Sequence, residues 1–248
     1  MVIGLVEEKK RYNSFKEIPP REYMYFPKGT IEVSKPGKFS RIEIVQLLVS
    51  ICVLTIMFSL VLTKNNIFYA IFLGGFDFNE LTQGLALTFI GILTAFFFHE
   101  LSHKFMAQRY GLWAEYRMYN QGLGLALILG LFTPIIFAAP GAVMFQGDAR
   151  DHEKGHIAMA GPAANVIIAS VTLPLYIFVF NQNNLVSLIV GFICYINAFI
   201  ATFNLLPFEP LDGVKIIDWN GNVWLLLFIL SITVLVIIFP QFALNLSI

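Results

Sequence analysis

A long apolar run ends in Phe96-Phe97-Phe98-His99-Glu100-Leu101-Ser102-His103, which places two histidines and a glutamate inside a segment that otherwise reads as membrane-spanning. Ionisable groups at such a depth are expensive and usually functional. On a helix, His99 and His103 project from one face, so both imidazoles can bind a single metal ion. Glu100 lies about 100° further round the helix, within reach of a water on that ion. The run therefore predicts a membrane helix that carries part of a metal site.

The composition is that of a polytopic membrane protein. Of the 248 residues, 57% are hydrophobic and 13% are charged, whereas about 25% of the residues in soluble domains are charged. The mean hydropathy is +0.73. A formal net charge of zero implies no general attraction to nucleic acid, and we expect no such partner. Cys52 and Cys194 lie in apolar runs and form neither a disulfide framework nor a Cys-x-x-Cys metal site.

Five apolar segments are long enough to cross a hydrocarbon core of about 30 Å. We predict spans at residues 44–63, 81–110, 157–180, 185–206 and 223–239. Residues 123–145 are also apolar, but glycines and prolines interrupt them in a way that a regular spanning helix tolerates poorly. The predicted fold is all-α and polytopic, with about five transmembrane helices, this re-entrant or broken segment, and a metal site between helices.

The charges predict the orientation of the chain. Residues 1–40 form a polar extension in which only 30–33 suggest a strand, and residues 41–248 form the membrane domain. Nine of the sixteen Lys and Arg residues lie between Lys9 and Arg41. If 123–145 does not cross, fifteen of them fall on or at the cytoplasmic side and only Lys64 falls outside. We expect a multi-pass protein of the cell membrane with a cytoplasmic amino terminus.

A catalytic zinc site needs a third protein ligand and leaves a fourth position open for water. The segment Asn204-Leu205-Leu206-Pro207-Phe208-Glu209-Pro210-Leu211-Asp212-Gly213 follows an apolar span and offers Asp212. Glu209 is a competing carboxylate, and spacing alone leaves both open. This segment and the His-Glu motif lie toward the carboxyl-terminal ends of their spans, so they meet only if those spans run parallel. Parallel spans require an odd number of crossings between them, which holds if residues 123–145 turn back.

A second copy of the His-Glu pattern occurs at His152-Glu153-Lys154-Gly155-His156. The four histidines of the chain therefore all belong to two candidate motifs. This copy lies among charged residues, and its internal glycine costs a helix about 1 kcal/mol. We interpret it as a solvated juxtamembrane turn, with a regulatory or adventitious metal site and the catalytic site itself as the two alternatives.

Three motifs follow one another along the chain. They are His99-Glu100-Leu101-Ser102-His103, Gly161-Pro162-Ala163-Ala164-Asn165, and Asn204-x-x-Pro207-x-x-x-x-Asp212-Gly213. In this order and spacing they resemble the motifs of the site-2 protease family of intramembrane zinc metallopeptidases. The resemblance covers residues 81–213, and Ser102 stands where the family commonly has glycine.

The resemblance implies a site and an activity. It implies one Zn²⁺ per chain with Glu100 as the general base, and zinc ligands at His99, His103 and Asp212. It places Asn165 and Asn204 near the site, where they hold substrate backbone or the transition state. The implied reaction is hydrolysis of peptide bonds in or near transmembrane segments, so the implied partners are membrane-protein substrates and the lipid bilayer.

A metal-binding transporter or channel without peptidase activity is the alternative. In that case His99, Glu100 and Asp212 would line a transport pathway. The sequence shows no pair of matching halves of the kind that many transporters carry. A glutamate also stands next to His99, where a hydrolase needs its base, so the peptidase is favoured.

Overall fold

The computed structural model describes residues 38–136, 138–179 and 184–246. Residues 1–37 of the extension, with the strand suggested at 30–33, lie outside the described residues. The helices are α1 (Arg41–Leu62), α2 (Ile67–Leu73), α3 (Phe78–Ile92), α4 (Phe98–Arg109), α5 (Asn120–Phe132), α6 (Asp151–Pro174), α7 (Leu185–Asn204) and α8 (Asp212–Leu246). A π-helical turn, Leu93–Phe97, joins α3 to α4, and a second one, Leu175–Val179, extends α6. The strands are β1 (Trp113–Met118) and β2 (Gly141–Gln146).

Five helical stretches of the described residues are long and apolar enough to cross a membrane. They are Arg41–Phe72, Phe78–Arg109, Asp151–Val179, Leu185–Asn204 and Asp212–Pro240. This confirms the predicted polytopic helical fold. The last stretch begins earlier than the predicted residue 223, because a short helix precedes a break at Asn220, where φ is −158° and ψ is 99°. The Asn220 side chain accepts the N–H groups of Asn222 and Val223 and so caps the helix that follows.

Residues 123–145 form a broken segment, as predicted. Helix α5 has 13 residues and is about 20 Å long, which is shorter than a hydrocarbon core of about 30 Å. Strand β2 then pairs antiparallel with β1, the strand that precedes α5, and Gly141 lies opposite Met118. The segment therefore returns to the level at which it began and adds no crossing.

Polar side chains of α1 close one edge of this two-stranded sheet. The Tyr116 N–H donates to Glu43 Oε1 at 3.0 Å, and the Met118 N–H donates to Gln46 Oε1 at 3.1 Å. Ser50 shares a hydrogen bond of 2.9 Å with the Tyr116 hydroxyl. Glu43, Gln46 and Ser50 are spaced by three and four residues, so they form one stripe on α1. Its side chains accept hydrogen bonds from backbone N–H groups of β1 that would have no partner in an apolar environment.

A buried ion pair joins α1 to α4. Lys104 Nζ lies 2.5 Å from Glu43 Oε2, and neither side chain is more than 1% exposed. Lys104 also donates to the Lys38 carbonyl at 3.1 Å and lies 3.8 Å from the centre of the Phe39 ring. The described end of the extension thus packs against the helix that carries the His-Glu motif.

Helix α6 lies at the centre of the bundle and packs against α4, α7 and α8. Glycines permit two of these contacts. Gly161 lies against the histidines of α4, and Gly155 lies against the Trp219 ring of α8. Small residues at such positions allow helices to approach closely.

Glu43→Ala is expected to destabilise the protein by about 3–5 kcal/mol, because it leaves the Lys104 ammonium buried without its carboxylate. Thermal unfolding in detergent measures the loss. The double variant Glu43→Gln/Lys104→Met carries no buried charge at either position and should be more stable than Glu43→Ala. An unfolding midpoint of Glu43→Ala equal to that of the wild type would contradict this assignment.

Candidate metal centre

Three side chains from α4 and α8 converge on one point. His99 Nε2 and His103 Nε2 lie 3.0 Å apart, and Asp212 Oδ2 lies 3.3 Å from the first and 3.1 Å from the second. Ligand atoms about 2.1 Å from a tetrahedral zinc ion lie about 3.4 Å from one another, so this spacing fits zinc. Among the described residues, no other group of three or more His, Cys, Asp and Glu side chains lies close enough to hold a metal ion.

The outer nitrogens of both imidazoles are hydrogen-bonded. His103 Nδ1 lies 2.6 Å from the Ile157 carbonyl oxygen, which can only accept a hydrogen bond. Nδ1 therefore carries the proton, and the lone pair of Nε2 points toward the other ligands. His99 Nδ1 lies 2.6 Å from Asn165 Oδ1. Partners of this kind fix the orientation of metal-binding histidines.

The amide of Asn165 can take only one orientation. Its Nδ2 donates to the Ala95 carbonyl at 2.8 Å and to Asn197 Oδ1 at 2.9 Å. The Ala95 carbonyl accepts only, so the amide nitrogen faces it and Oδ1 faces His99. His99 Nδ1 is consequently the donor, and its Nε2 is also left as a metal ligand.

The π-helical turn Leu93–Phe97 supplies part of this support. A π turn replaces bonding between residues i and i+4 by bonding between i and i+5, and such turns are frequent at functional sites. Ala95, within the turn, provides the carbonyl for Asn165, and Thr94 Oγ1 accepts from Asn197 at 3.2 Å. The sequence analysis missed both the turn and Asn197. Asn197 could have been identified from the sequence, because it is an amide within the apolar span 185–206.

Gly161 leaves space beside the ligands. A Cβ atom at this position would lie 2.7 Å from His99 Nε2 and closer still to His103 Nε2. A side chain would therefore occupy the volume that an ion needs. Both the donor set and this cradle fit zinc.

Glu100 lies next to the three ligands and is 8% exposed. The Val143 N–H of β2 donates to its carboxylate. Its Oε2 atom is buried and has no hydrogen-bond partner among the described residues. Leaving a buried polar atom unsatisfied costs about 1–3 kcal/mol, and more for a charged group. This oxygen is therefore placed to bind a proton or a donor that enters the site.

The ligands and Glu100 line a cavity of about 960 Å³. Apolar side chains of α1, α3 and α7 form part of its wall, among them Leu54, Phe58, Ile92, Phe199 and Ile200. Charged side chains from the starts of α6 and α8 form another part, among them Asp151, Lys154, Lys215 and Asp218. The cavity thus joins an apolar region to a polar one, with the metal ligands also on its wall.

The structure brings one of the two candidate carboxylates to the histidines. Asp212 meets the histidines, whereas Glu209 is exposed on the cavity wall. Lys215, which the sequence analysis did not single out, lies 3.5 Å from Asp212 Oδ1.

The two asparagines differ in their surroundings. Asn204 lines the cavity and donates to the Ile200 carbonyl at 3.0 Å, and its contact with a substrate stays a prediction. Asn165 is fully buried, and both its amide nitrogen and its oxygen are hydrogen-bonded within the protein. These contacts favour positioning of His99, and a contact of Asn165 with substrate likewise stays a prediction.

The predicted turn at residues 152–156 is wrong, because these residues form the first turns of α6. Glu153 Oε2 accepts the Arg150 N–H at 3.0 Å and caps the helix start. Gly155 lies against the Trp219 ring, which leaves no room for a Cβ atom at this position. The second motif is thus helical, and it is separate from the cluster around His99.

Five described helical stretches long and apolar enough to cross a membrane, together with a His-His-Asp group placed to hold a metal ion, define a multi-pass membrane metalloprotein. A protein of Methanocaldococcus jannaschii named "Putative zinc metalloprotease" is 36% identical over 188 residues, which are 75% of this chain and 89% of that protein. The chain belongs to the zinc metalloprotease family of this archaeal relative, and its cofactor is Zn²⁺. No family model and no solved structure matches the chain.

Gly161→Ala is expected to abolish zinc binding, because the added Cβ meets both Nε2 atoms. Zinc per chain, counted in the purified protein, measures this. Gly124→Ala is the matched control, since a Cβ there has nothing within 4 Å, and it should keep one zinc per chain. One zinc per chain in Gly161→Ala would show that the ion lies elsewhere.

Asn165→Ala is expected to weaken zinc binding about 10–100-fold, because His99 loses the acceptor that orients it. Competition with a chelator measures the affinity. Asn204→Ala removes a side chain that donates to the Ile200 carbonyl of its own helix, and this variant should bind zinc like the wild type. Equal affinities for all three proteins would argue against a positioning role for Asn165.

Proposed function

We propose that the protein is an intramembrane zinc endopeptidase of the site-2 protease type, which hydrolyses peptide bonds in or near transmembrane segments of membrane proteins. The observation that carries the proposal is the Glu100 carboxylate. It lies beside the three ligands within a membrane-spanning stretch and keeps one buried oxygen that has no hydrogen-bond partner among the described residues. The name of the archaeal relative supports a metalloprotease. The three ordered motifs support the intramembrane type.

We assign His99, His103 and Asp212 as the zinc ligands and Glu100 as the general base. Zinc, when bound, supplies Lewis-acid chemistry, which acidifies a water and polarises a carbonyl group. Glu100 accepts a proton from the attacking water as the water oxygen bonds to the peptide carbon. It then gives that proton to the amine nitrogen as the C–N bond breaks. The Val143 N–H holds the Glu100 carboxylate in place for both transfers.

The sheet offers a way to present a substrate. Strand β1 pairs with one edge of β2, and β2 residues Gly141, Ala142, Val143 and Phe145 line the cavity. An extended peptide can add to a free strand edge through main-chain hydrogen bonds. A substrate helix must unwind to expose its peptide bonds in this way, so we expect helix-weakening residues near the cut.

The proposed setting is the cell membrane with the amino terminus in the cytoplasm. The excess of Lys and Arg before α1 supports this orientation. It places the start of α6 and the charged part of the cavity wall toward the cytoplasm, the side from which water reaches the site. The bilayer and membrane-protein substrates are then the partners of the protein.

Glu100→Gln is expected to lower peptidase activity on a model membrane substrate about 10²–10⁴-fold, because the amide cannot accept the proton of the attacking water. The variant should still hold one zinc per chain, since Glu100 is not a ligand. Glu153→Gln makes the same change in the second motif and should remain active.

Three other results would contradict the proposal. Equal activity of Glu100→Gln and the wild type would remove Glu100 as the base. Loss of activity in Glu153→Gln alone, with the fold retained, would move the reaction to the second motif. Metal transport into liposomes by a protein without peptidase activity would favour a transporter.

A further inference from the structure

A second pair of histidines lies on one face of α6. His152 and His156 are four residues apart in the first turns of this helix, their ring centres are 6.0 Å apart, and their planes meet at 77°. The metal-site pair His99 and His103 has nearly the same mutual orientation, with centres 4.6 Å apart and planes at 80°. Two imidazoles at this spacing on a helix can share one metal ion.

The surroundings of His156 orient its ring for such a role. Its Nδ1 is hydrogen-bonded to the Tyr110 hydroxyl, and the Trp219 ring packs against it with centres 4.7 Å apart at 83°. His156 Nδ1 can donate its proton to the Tyr110 oxygen, and in that tautomer Nε2 keeps the lone pair that binds a metal, as in the first pair. His152 is exposed, so its ring can turn to complete the pair.

The second pair has metal ligands but lacks a general base. Glu153 occupies the position that corresponds to Glu100, but its carboxylate caps the start of α6. Binding at this pair is therefore expected without hydrolysis.

The electrostatics make this a weak site. The amino-terminal end of a helix disfavours a cation. The exposed carboxylate of Asp151 in the same turn offsets only a small part of that cost, because the Lys154 ammonium lies 3.1 Å from it. Two protein ligands also bind zinc less tightly than three.

We propose that His152 and His156 bind a second zinc ion, more weakly than the cluster of His99, His103 and Asp212. The neighbouring residues Asp151, Lys154 and Gly155 line the cavity, so this ion lies at its rim. Excess zinc is then expected to hinder entry of substrate, and this last consequence rests on the proposed peptidase function.

Calorimetric titration with zinc chloride tests the site directly. It uses the full-length protein, purified in detergent and already holding one zinc per chain. The wild type should take up a second equivalent, and His152→Ala should take up none while it keeps the first. Lys154→Ala changes an exposed residue of the same turn and should still bind two. A wild type that stops at one zinc, or a second equivalent that persists in the double variant His152→Ala/His156→Ala, would overturn the proposal.

Peptidase assays test the consequence separately. Excess zinc should inhibit the wild type. The activity of His152→Ala should be the same with excess zinc as with one zinc per chain. Equal inhibition of both proteins would show that zinc at His152 and His156 does not hinder entry of substrate. If the protein has no peptidase activity, the proposed function fails while the zinc stoichiometry still decides whether the second site exists.

Discussion

One face of α6 holds the metal site together. Ile157, Gly161 and Asn165 are each four residues apart, so they form a single stripe. The first and last accept hydrogen bonds from the outer nitrogens of His103 and His99, and the glycine between them leaves the space into which both Nε2 atoms point. The ring tautomers, the room for the ion and the distance between α4 and α6 all follow from these three positions. Asp212 then needs only to approach from α8.

The polar side chains of α1 are needed because the membrane is apolar and offers no hydrogen-bond partners. A two-stranded sheet has two open edges, and an unpaired backbone group in an apolar environment is costly. Glu43, Gln46 and Ser50 of α1 cover β1, and this leaves β2 as the strand on the cavity. Glu43 also pairs with Lys104 on α4. The same carboxylate thus fixes the sheet and the metal-binding helix relative to α1, which places Val143 beside Glu100.

The sequence predicted those features that depend on spacing along one segment. Five spans, the interruption of residues 123–145 and the common face of His99 and His103 follow from hydrophobic length, helix-breaking residues and helical periodicity. The choice of Asp212 over Glu209 did not follow from spacing, because it depends on how the chain turns after α7, and only the family resemblance pointed to Asp212. The π-helical turn before α4 was also missed, since its support from Asn165 and Asn197 comes from other helices. The sequence analysis expected Asn165 near the site. It did not predict the hydrogen bond of Asn165 to His99, because that contact depends on the packing of three helices.

The two copies of the His-Glu pattern show why a five-residue sequence motif does not by itself define a catalytic site. Both are helical and both place two imidazoles on one face, so the difference lies in what each glutamate meets. Glu153 stands at the third position of a helix, and its carboxylate accepts the backbone N–H of Arg150 at the helix start. Glu100 follows a π-helical turn inside a continuous run of helix, so no helix start competes for it. Its carboxylate instead meets one N–H from β2 and the cavity, which leaves an oxygen for chemistry. The broken segment positions β2 beside Glu100, so the candidate site depends on this segment as well as on the ligands.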